Sequence, residues 1–305
     1  MKINIASNEV IHFIGIGGIG MSGLAQIMKN MGFIIQGSDL IQNKNIERLV
    51  KSGIRVFFRH DKKNLKKATM IVISSAIKRN NKELKAARFK NLPVFKRGDM
   101  LANIVSLKKN IVITGSHGKT TTTSLVANIL LEAGLDPTII NGGVINSFKN
   151  TAQLGKGEWA VIESDESDGS FLKLPITYSI VTNVDREHLD YYGNFEKLKK
   201  GFIKFIEKTP SFGKSFVCID NKNLKSLLSR CENNNYLTYG FSKNANYQIV
   251  NVKKNVNNSI FDLKIKFAKK KILEVKNLKV NLLGNHNISN VTASIAVALN
   301  LGINI

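Results

Sequence analysis

The sequence has few cysteines and no long uninterrupted apolar run. Its two cysteines, Cys218 and Cys231, have no histidine or cysteine at ligand spacing, which argues against a zinc site and a disulfide framework. No apolar stretch reaches the roughly 20 residues that a membrane-spanning helix needs. The N-terminus superficially resembles a signal peptide, but Glu9 and His12 interrupt its apolar region. We therefore expect a soluble cytoplasmic protein without membrane insertion.

Acidic residues are scarce relative to basic ones. The 305-residue chain has 45 lysines and arginines against 22 aspartates and glutamates, a formal net charge of +23. The basic residues are spread thinly along the chain, and no RNA-binding aromatic motif accompanies them. We expect a solvated basic surface and no nucleic-acid partner, with a positive field that favours a phosphorylated substrate.

The chain is long enough for two domains, and 43% apolar residues suffice for their cores. In residues 1–106, the strand candidates VIHFI, FIIQGSD, IRVFF, MIVISSAI and LPVFK alternate with helices, two of them at about 45–52 and 81–90. This alternation predicts a Rossmann-like α/β domain with a parallel sheet. A Lys-rich stretch at 106–110 is the expected linker.

Residues 107–305 repeat the alternation and form the second predicted domain. NIVITG, WAVIES and YSIVTNVD read as buried parallel strands, since their apolar runs are continuous. From about 240 to 283 the apolar residues alternate singly, which predicts an antiparallel edge of hairpins on a mostly parallel sheet.

The first domain begins with a glycine motif. Gly15, Gly17 and Gly20 follow a strand and open a helix, the context in which backbone N–H groups bind a diphosphate. Asp39 lies 19 residues beyond Gly20, near where an acidic residue can bind a ribose. A structural tight turn is the alternative, and the motif does not specify the nucleotide.

The second domain begins with TGSHGKTTTT, a shortened phosphate loop. Only two residues separate Gly115 from Gly118, whereas the usual loop has four. The amides of the helix start would point at phosphate oxygens, Lys119 would supply positive charge, and the Thr120 hydroxyl can coordinate magnesium.

Two polar clusters follow the next strands. Glu163, Asp165, Glu166 and Asp168 follow one buried strand, and His188 lies just past the next. Four carboxylates within six residues would repel one another unless cations or basic groups balanced them. Because the ligand crevice of an open α/β sheet lies outside the carboxyl ends of its strands, we expect Glu163 and His188 to converge on the phosphate loop.

The stretch LGNHNISN opens the last helix. His286, Asn287 and Asn290 cluster there, and asparagine side chains can pair with adenine edges. The alternative is that they are N-cap and turn residues.

Taken in order, these motifs resemble the Mur ligase family. The resemblance runs from residue 12 to the last helix through HFIGIGGIGMSGLA, VISSAI, TGSHGKTTTT, LDPTIINGG, ESDESDGSFL, VTNVDREHLDYYG and GNHNISNVTASIAVA. It implies a Rossmann-like N-terminal domain followed by a P-loop-type central domain, and the short loop spacing is the family's own form. A nicotinamide dehydrogenase would leave the second glycine loop without a role. A P-loop motor or switch protein is disfavoured by the short loop and by the first domain.

The resemblance also implies site residues. The diphosphate of UDP-N-acetylmuramate would lie at Gly15, Gly17, Gly18, Gly20, Met21 and Ser22, with Asp39, Ser74 and Ser75 near the uridine or sugar. ATP would lie at Gly115, Ser116, His117, Gly118, Lys119, Thr120 and Thr121, with His286, Asn287 and Asn290 around the adenine. Magnesium would be held by Thr120, Glu163 and His188, and the catalytic residues would be Lys119, Glu163 and His188.

The implied reaction is ATP-dependent ligation of L-alanine to the lactyl carboxylate of UDP-N-acetylmuramate through an acyl phosphate, early in peptidoglycan biosynthesis. A sister branch, the murein tripeptide ligases of cell-wall recycling, is the alternative. Several sister enzymes carry a carbamylated lysine on the helix after the histidine motif. In this chain Phe202 aligns there, which is similar to the alanine-adding branch, and Lys199, Lys200 and Lys204 nearby are the alternative alignments. The family has a third, C-terminal domain that this chain does not reach. We therefore expect these 305 residues to bind nucleotides but to ligate poorly alone.

Overall fold

The computed structural model describes residues 9–145, 150–267 and 272–304. Along the chain, the elements are β1 (Val10–Ile14), α1 (Ile19–Asn30), β2 (Ile34–Ser38), α2 (Lys44–Lys51), β3 (Arg55–Phe57), β4 (Met70–Ile73), α3 (Lys82–Phe89), β5 (Val94–Lys96), α4 (Arg97–Val105), β6 (Lys109–Thr114), α5 (Lys119–Glu132), β7 (Thr138–Ile145), β8 (Asn150–Gln153), β9 (Trp159–Glu163), β10 (Tyr178–Val181), α6 (Leu189–Tyr192), α7 (Phe195–Glu207), β11 (Lys214–Cys218), α8 (Lys222–Leu228), β12 (Tyr236–Gly240), β13 (Tyr247–Lys254), β14 (Ser259–Lys266), β15 (Ile272–Val280) and α9 (Asn285–Asn300). Short 3₁₀ helices cover Lys62–Leu65 and Ser170–Lys173.

The chain forms two compact units. Unit 1 comprises Met1–Leu107 and Thr138–Lys156, and unit 2 comprises Lys108–Pro137 and Gly157–Ile305. No helix in the described ranges combines the length and apolar character needed to cross a bilayer.

Unit 1 is built on a parallel five-stranded sheet in the order β3-β2-β1-β4-β5. The central strand β1 is buried on both faces, and its Phe13 and Ile14 are fully inaccessible. Helix α1 buries Leu24, Ile27 and Met28, spaced so that they share one side of the helix. The predicted parallel sheet is therefore confirmed.

A hairpin from later in the chain completes unit 1. Strands β7 and β8 pair antiparallel, and both pack against α1. The sequence placed a single division between residues 106 and 107. The two units differ from that division because the hairpin belongs to unit 1. Its packing partner, α1, lies more than a hundred residues earlier in the chain, and local sequence patterns do not reveal such a distant contact.

Unit 2 is built on a mixed sheet in which β15-β14-β13-β12-β11-β10-β6-β9 are successive neighbours. The strands from β9 to β13 in this order pair parallel, whereas β13, β14 and β15 pair antiparallel. Along β14 buried and partly buried residues alternate throughout. This confirms the antiparallel edge predicted for 240–283.

The arrangement of unit 2 fixes where its polar loops meet. Strands β9, β6 and β10 are parallel neighbours, so their carboxyl ends lie at one edge of the sheet. The loops that leave these ends hold residues 115–118, 164–169 and 182–188. Helices α5 and α9 pack against each other, which brings the start of α9 toward the same edge.

Candidate functional site

The glycine loop of unit 2 has a backbone that requires glycine. Gly115 has φ of +133° and Gly118 has φ of +82°, both unfavourable for other residues. A Cβ on Gly115 would stand 2.2 Å from Thr182 Oγ1. Gly118 is the N-cap of α5 and offers no side-chain acceptor, so the first N–H groups of the helix point outward without a cap. Such a helix start favours an anion.

The segment after β10 braces this loop. The His117 N–H donates to Asn183 Oδ1 at 2.8 Å, and the Asn183 side-chain amide donates back to the His117 carbonyl at 2.9 Å. The Thr182 hydroxyl also donates to that carbonyl, at 2.7 Å. The Asp185 N–H donates to Ser116 Oγ at 2.9 Å. Sequence reasoning missed these positioning residues, although all three lie in the quoted stretch VTNVD.

Lys119 is held within the loop. Its Nζ donates to the Gly115 carbonyl at 2.6 Å and lies 3.1 Å from Glu166 Oε2. Glu166 is 1% exposed. Burial raises the pKa of Glu166, and the charge of Lys119 lowers it only in part. The loop therefore keeps its cation next to a carboxylate that is costly to ionise.

Two predicted metal ligands meet directly. The Thr120 hydroxyl donates to Glu163 Oε1 at 3.1 Å. Thr120 lies in the first turn of α5 and Glu163 ends β9, so the parallel pairing of β6 and β9 brings them together. A hydroxyl and a carboxylate are hard oxygen donors of the kind that Mg²⁺ prefers.

The third predicted metal ligand, His188, lies among acidic side chains instead. Its Nε2 lies 3.6 Å from Glu166 Oε1, and one ligand atom each from Asp165, Glu166 and His188 lies within 4.8 Å of the others. His188 adopts a left-handed backbone with φ of +56°, uncommon for a residue other than glycine. The predicted trio thus divides into Thr120 with Glu163 and His188 with Glu166, a partner that the sequence did not single out.

The start of α9 contributes Asn290. This residue is 6% exposed, and its Oδ1 lies 3.0 Å from where a Cβ on Gly118 would stand. Its side-chain amide donates weakly to Asn287 Oδ1, at 3.4 Å. His286 is exposed beside the N-cap Gly284. Asn290 therefore reaches the phosphate loop, while His286 and Asn287 stay at the helix start.

The position aligned with a carbamylated lysine is apolar. Phe202 is fully buried on α7, with its ring centroid 5.4 Å from that of Phe171. The nearby Lys199 pairs instead with Glu196, at 2.9 Å.

Side chains that follow β2 and lie at the start of α2 hold the glycine turn of unit 1 by hydrogen bonds. The Gly17 N–H donates to Asp39 Oδ2 at 2.8 Å, and the side-chain amides of Asn43 and Asn45 donate to the Gly17 carbonyl. The other Asp39 oxygen accepts from the Leu40 N–H at 2.8 Å. Asp39 thus shapes the turn from the position expected for a ribose-binding acid.

The remaining predicted residues of unit 1 differ in exposure. Met21 and Ser22 are 2% and 5% exposed, and the Ser22 hydroxyl donates to the Ile19 carbonyl. The Ser22 N–H donates to the Gly18 carbonyl at 2.8 Å, so of these two residues only Met21 has a backbone N–H that can face a ligand. The helical spacing of Met21 and Leu24 could have indicated that the Met21 side chain is buried. Ser74 lies against Gly15, and Ser75 is exposed.

A buried carboxylate lies beneath this region and was missed from the sequence. Glu83 is inaccessible and accepts from Ser38 Oγ at 2.5 Å and from Asn64 Nδ2 at 2.7 Å. His60 Nδ1 lies 3.0 Å from it, and His12 Nε2 lies 3.4 Å from it. Burial by itself would raise the pKa of Glu83, but His12 and these hydrogen bonds lower it overall.

Two sequence families match the chain. Residues 10–109 match the Mur ligase family, catalytic domain, and residues 113–298 match the Mur ligase middle domain. A UDP-N-acetylmuramate–L-alanine ligase of Pelagibacter ubique is 61% identical over 303 residues, which make up 99% of this chain and 65% of that protein. The chain thus spans less than two thirds of that relative's length.

Two solved structures are also similar. A UDP-N-acetylmuramate-alanine ligase from Thermotoga maritima has a TM-score of 0.82 at 28% identity, covering 96% of this chain and 65% of its own. A UDP-N-acetylmuramate:L-alanyl-gamma-D-glutamyl-meso-diaminopimelate ligase from Neisseria meningitides has a TM-score of 0.84 at 27% identity, covering 97% of this chain and 94% of its own. The predicted fold class is confirmed.

Proposed function

Because this chain belongs to the Mur ligase family, as its motifs predicted, we propose that it provides the nucleotide-binding part of a cytoplasmic ligase. The proposed enzyme joins L-alanine to the lactyl carboxylate of UDP-N-acetylmuramate and converts ATP to ADP and phosphate. This is an early step of peptidoglycan biosynthesis. The observation that carries the proposal is the edge of the unit 2 sheet, where an uncapped glycine loop with Lys119 adjoins the pair Thr120 and Glu163.

The donor set of unit 2 fits Mg-ATP. The N–H groups at the start of α5 and the Lys119 ammonium would hold the phosphates. Thr120 and Glu163 would hold one Mg²⁺, and His188 would help to hold a second. His286, Asn287 and Asn290 would lie near the adenine. Bound Mg-ATP would supply the γ-phosphoryl group that turns the lactyl carboxylate into an acyl phosphate, with ADP as the leaving group. The L-alanine amine would then attack the acyl carbon and displace inorganic phosphate, which leaves an amide bond.

The roles of the chain's own residues follow from their contacts. To hold a phosphate, Lys119 would exchange its contacts with the Gly115 carbonyl and with Glu166 for the phosphate oxygens, at the cost of an ion pair that is already present. Thr182 and Asn183 keep the loop in place while Lys119 moves, because they bond to its backbone at His117. The loop is thus held independently of its cation.

In unit 1, the glycine turn would hold the UDP part of the substrate. The backbone N–H groups of Gly20 and Met21 would face the diphosphate, whereas those of Gly18 and Ser22 already donate to the carbonyls of Gly15 and Gly18. Asp39, Ser74 and Ser75 would lie toward the uridine or sugar.

A murein tripeptide ligase is the second candidate. It is favoured by the Neisseria structure, which resembles this chain as closely in fold as the alanine enzyme does. The 61% identity to an alanine ligase favours the first candidate.

Calorimetric titration tests the proposal. The purified chain should bind UDP-N-acetylmuramate and, separately, Mg-ATP. Lys119→Ala should weaken Mg-ATP binding by roughly 30-fold or more and leave the sugar nucleotide unaffected. Lys200→Ala, which removes one exposed lysine from α7, is the charge-matched control. Binding of NAD without binding of UDP-N-acetylmuramate would contradict the proposal.

A further inference from the structure

We propose that Arg97 binds the diphosphate of the sugar nucleotide at the glycine turn of unit 1 and makes this site selective for nucleoside diphosphates. The inference rests on the proposed function, which places a UDP-linked substrate at this turn. It adds a residue from α4, an element that the glycine motif does not include.

Arg97 lies directly against the start of α1. It is the first residue of α4, and its side chain crosses Gly20 in the first turn of α1. A Cβ on Gly20 would stand 3.2 Å from Arg97 Nη1 and 3.4 Å from its Nε. Gly20 does not have a positive φ. The close approach of Arg97 therefore explains this glycine better than backbone conformation does.

The guanidinium has no anionic partner. Arg97 is half-buried, and within the described ranges no carboxylate or carbonyl pairs with it. The one carboxylate of the turn, Asp39, already accepts from the N–H groups of Gly17 and Leu40. A partly desolvated cation without a counter-charge is unfavourable, and a bound anion would relieve that cost.

The helix start beside Arg97 also lacks an acceptor. Gly18 is the N-cap of α1 and provides no side-chain bond, and the first turn contains no acidic residue. Among the described helices, α2, α3, α7 and α8 begin at an asparagine whose side chain accepts from the helix, whereas α4, α5, α6 and α9 begin without a side-chain cap, as α1 does. Unpaired N–H groups and an unpaired guanidinium thus occur side by side.

Their combination favours two phosphates over one. A helix start can hold one phosphate through its N–H groups. A guanidinium presents a planar fork of donors that suits the oxygens of a second phosphate. A monophosphate can engage only one of these two donor groups fully, and a nucleoside can engage neither.

The test compares ligands of decreasing charge. UDP-N-acetylmuramate, UDP, UMP and uridine are titrated calorimetrically into the wild-type chain, Arg97→Gln and Arg97→Lys. Arg88→Gln is the matched control, since it removes the same charge from an exposed position of unit 1. Thermal unfolding of each variant checks the fold.

Arg97→Gln should weaken UDP and UDP-N-acetylmuramate binding roughly 10- to 100-fold, with UMP affected less and uridine unchanged. Arg97→Lys should lie between Arg97→Gln and the wild type, and Arg88→Gln should match the wild type. Equal losses for UDP and uridine, or wild-type UDP affinity in a folded Arg97→Gln, would overturn this inference alone. Failure of the wild type to bind any uridine nucleotide would overturn the proposed function together with it.

Discussion

In both units a buried parallel strand ends in a glycine turn, and the next helix begins at a glycine without a side-chain cap: Gly18 for α1 and Gly118 for α5. The nearby cations differ. Lys119 belongs to the helix that it serves and is paired with Glu166, whereas Arg97 comes from another helix and has no such partner in the described chain. The N-cap backbones also differ, since Gly18 is extended and Gly118 is left-handed. Two uncapped helix starts therefore prepare an anion site in two ways, with a cation paired to a carboxylate in unit 2 and an unpaired one in unit 1.

The buried carboxylates sharpen this contrast. Glu83 in unit 1 is surrounded by hydrogen-bond donors, and its pKa is lowered. Glu166 in unit 2 is equally inaccessible, but burial outweighs Lys119 and its pKa is raised. Unit 1 thus uses its buried carboxylate to stabilise the fold, whereas unit 2 keeps one that is unfavourable for the fold and lies next to the proposed catalytic lysine.

The largest expected effect is a difference in how much an added methyl group destabilises each glycine turn. Gly115→Ala should destabilise unit 2 by about 3 kcal/mol, because its φ of +133° and the contact with Thr182 both oppose a side chain. Gly20→Ala should cost under about 1 kcal/mol, since it meets only the flexible Arg97 side chain. Urea unfolding of both variants measures the difference, and equal costs would remove the contrast.

The next effect concerns Glu83. A lowered pKa means that its contribution to stability is present above the unfolded-state value and is lost as the pH falls through the folded-state value. Glu83→Gln should therefore lower the free energy of unfolding by about 2 kcal/mol at pH 7, and by progressively less as the pH falls below the ordinary glutamate value of about 4.3 and through the lowered folded-state value. Exposed Glu132→Gln is the control. A pH-independent loss would indicate a packing defect instead.

Glu166 should respond in the opposite direction. Because its pKa is raised, its contribution is present below the unfolded-state value and is lost as the pH rises through the folded-state value. Glu166→Gln should therefore raise the free energy of unfolding by roughly 0.5–1 kcal/mol at pH 8, a gain that disappears near about pH 4. Thermal and urea unfolding at both pH values check this, and a loss at pH 8 would contradict it.

The smallest expected effect concerns the missing cap of α1. Gly18 has an extended backbone with room for a side chain, so Gly18→Ser should cap α1 and stabilise unit 1 by a few tenths of a kcal/mol. Its hydroxyl would compete with the diphosphate for the same N–H groups, so UDP affinity should fall several-fold. Gly118→Ser should only destabilise, since Gly118 has a positive φ and adjoins Asn290. Calorimetry and unfolding measure both variants, and unchanged UDP affinity in Gly18→Ser would contradict this prediction.

The sequence predicted the features that local patterns encode. Continuous apolar runs gave the parallel strands, single alternation gave the antiparallel edge, and glycines at strand ends gave both turns. Arg97 and Glu83 were missed because their roles depend on contacts with residues far away in the sequence. A lone arginine or glutamate in a helix has no local signature that separates it from a solvated one.

The hairpin of β7 and β8 has a consequence for biosynthesis. Because it packs on α1 but follows α5 in the chain, unit 1 cannot acquire its last packing partner until residues up to 156 have left the ribosome. By then β6 and α5, which belong to unit 2, have already been made. At a synthesis rate of about 5–20 residues per second, the face of α1 that the hairpin buries stays exposed for several seconds. A nascent chain that has emerged only to about residue 107 should therefore be more susceptible to proteases and chaperones than one that has emerged beyond residue 156.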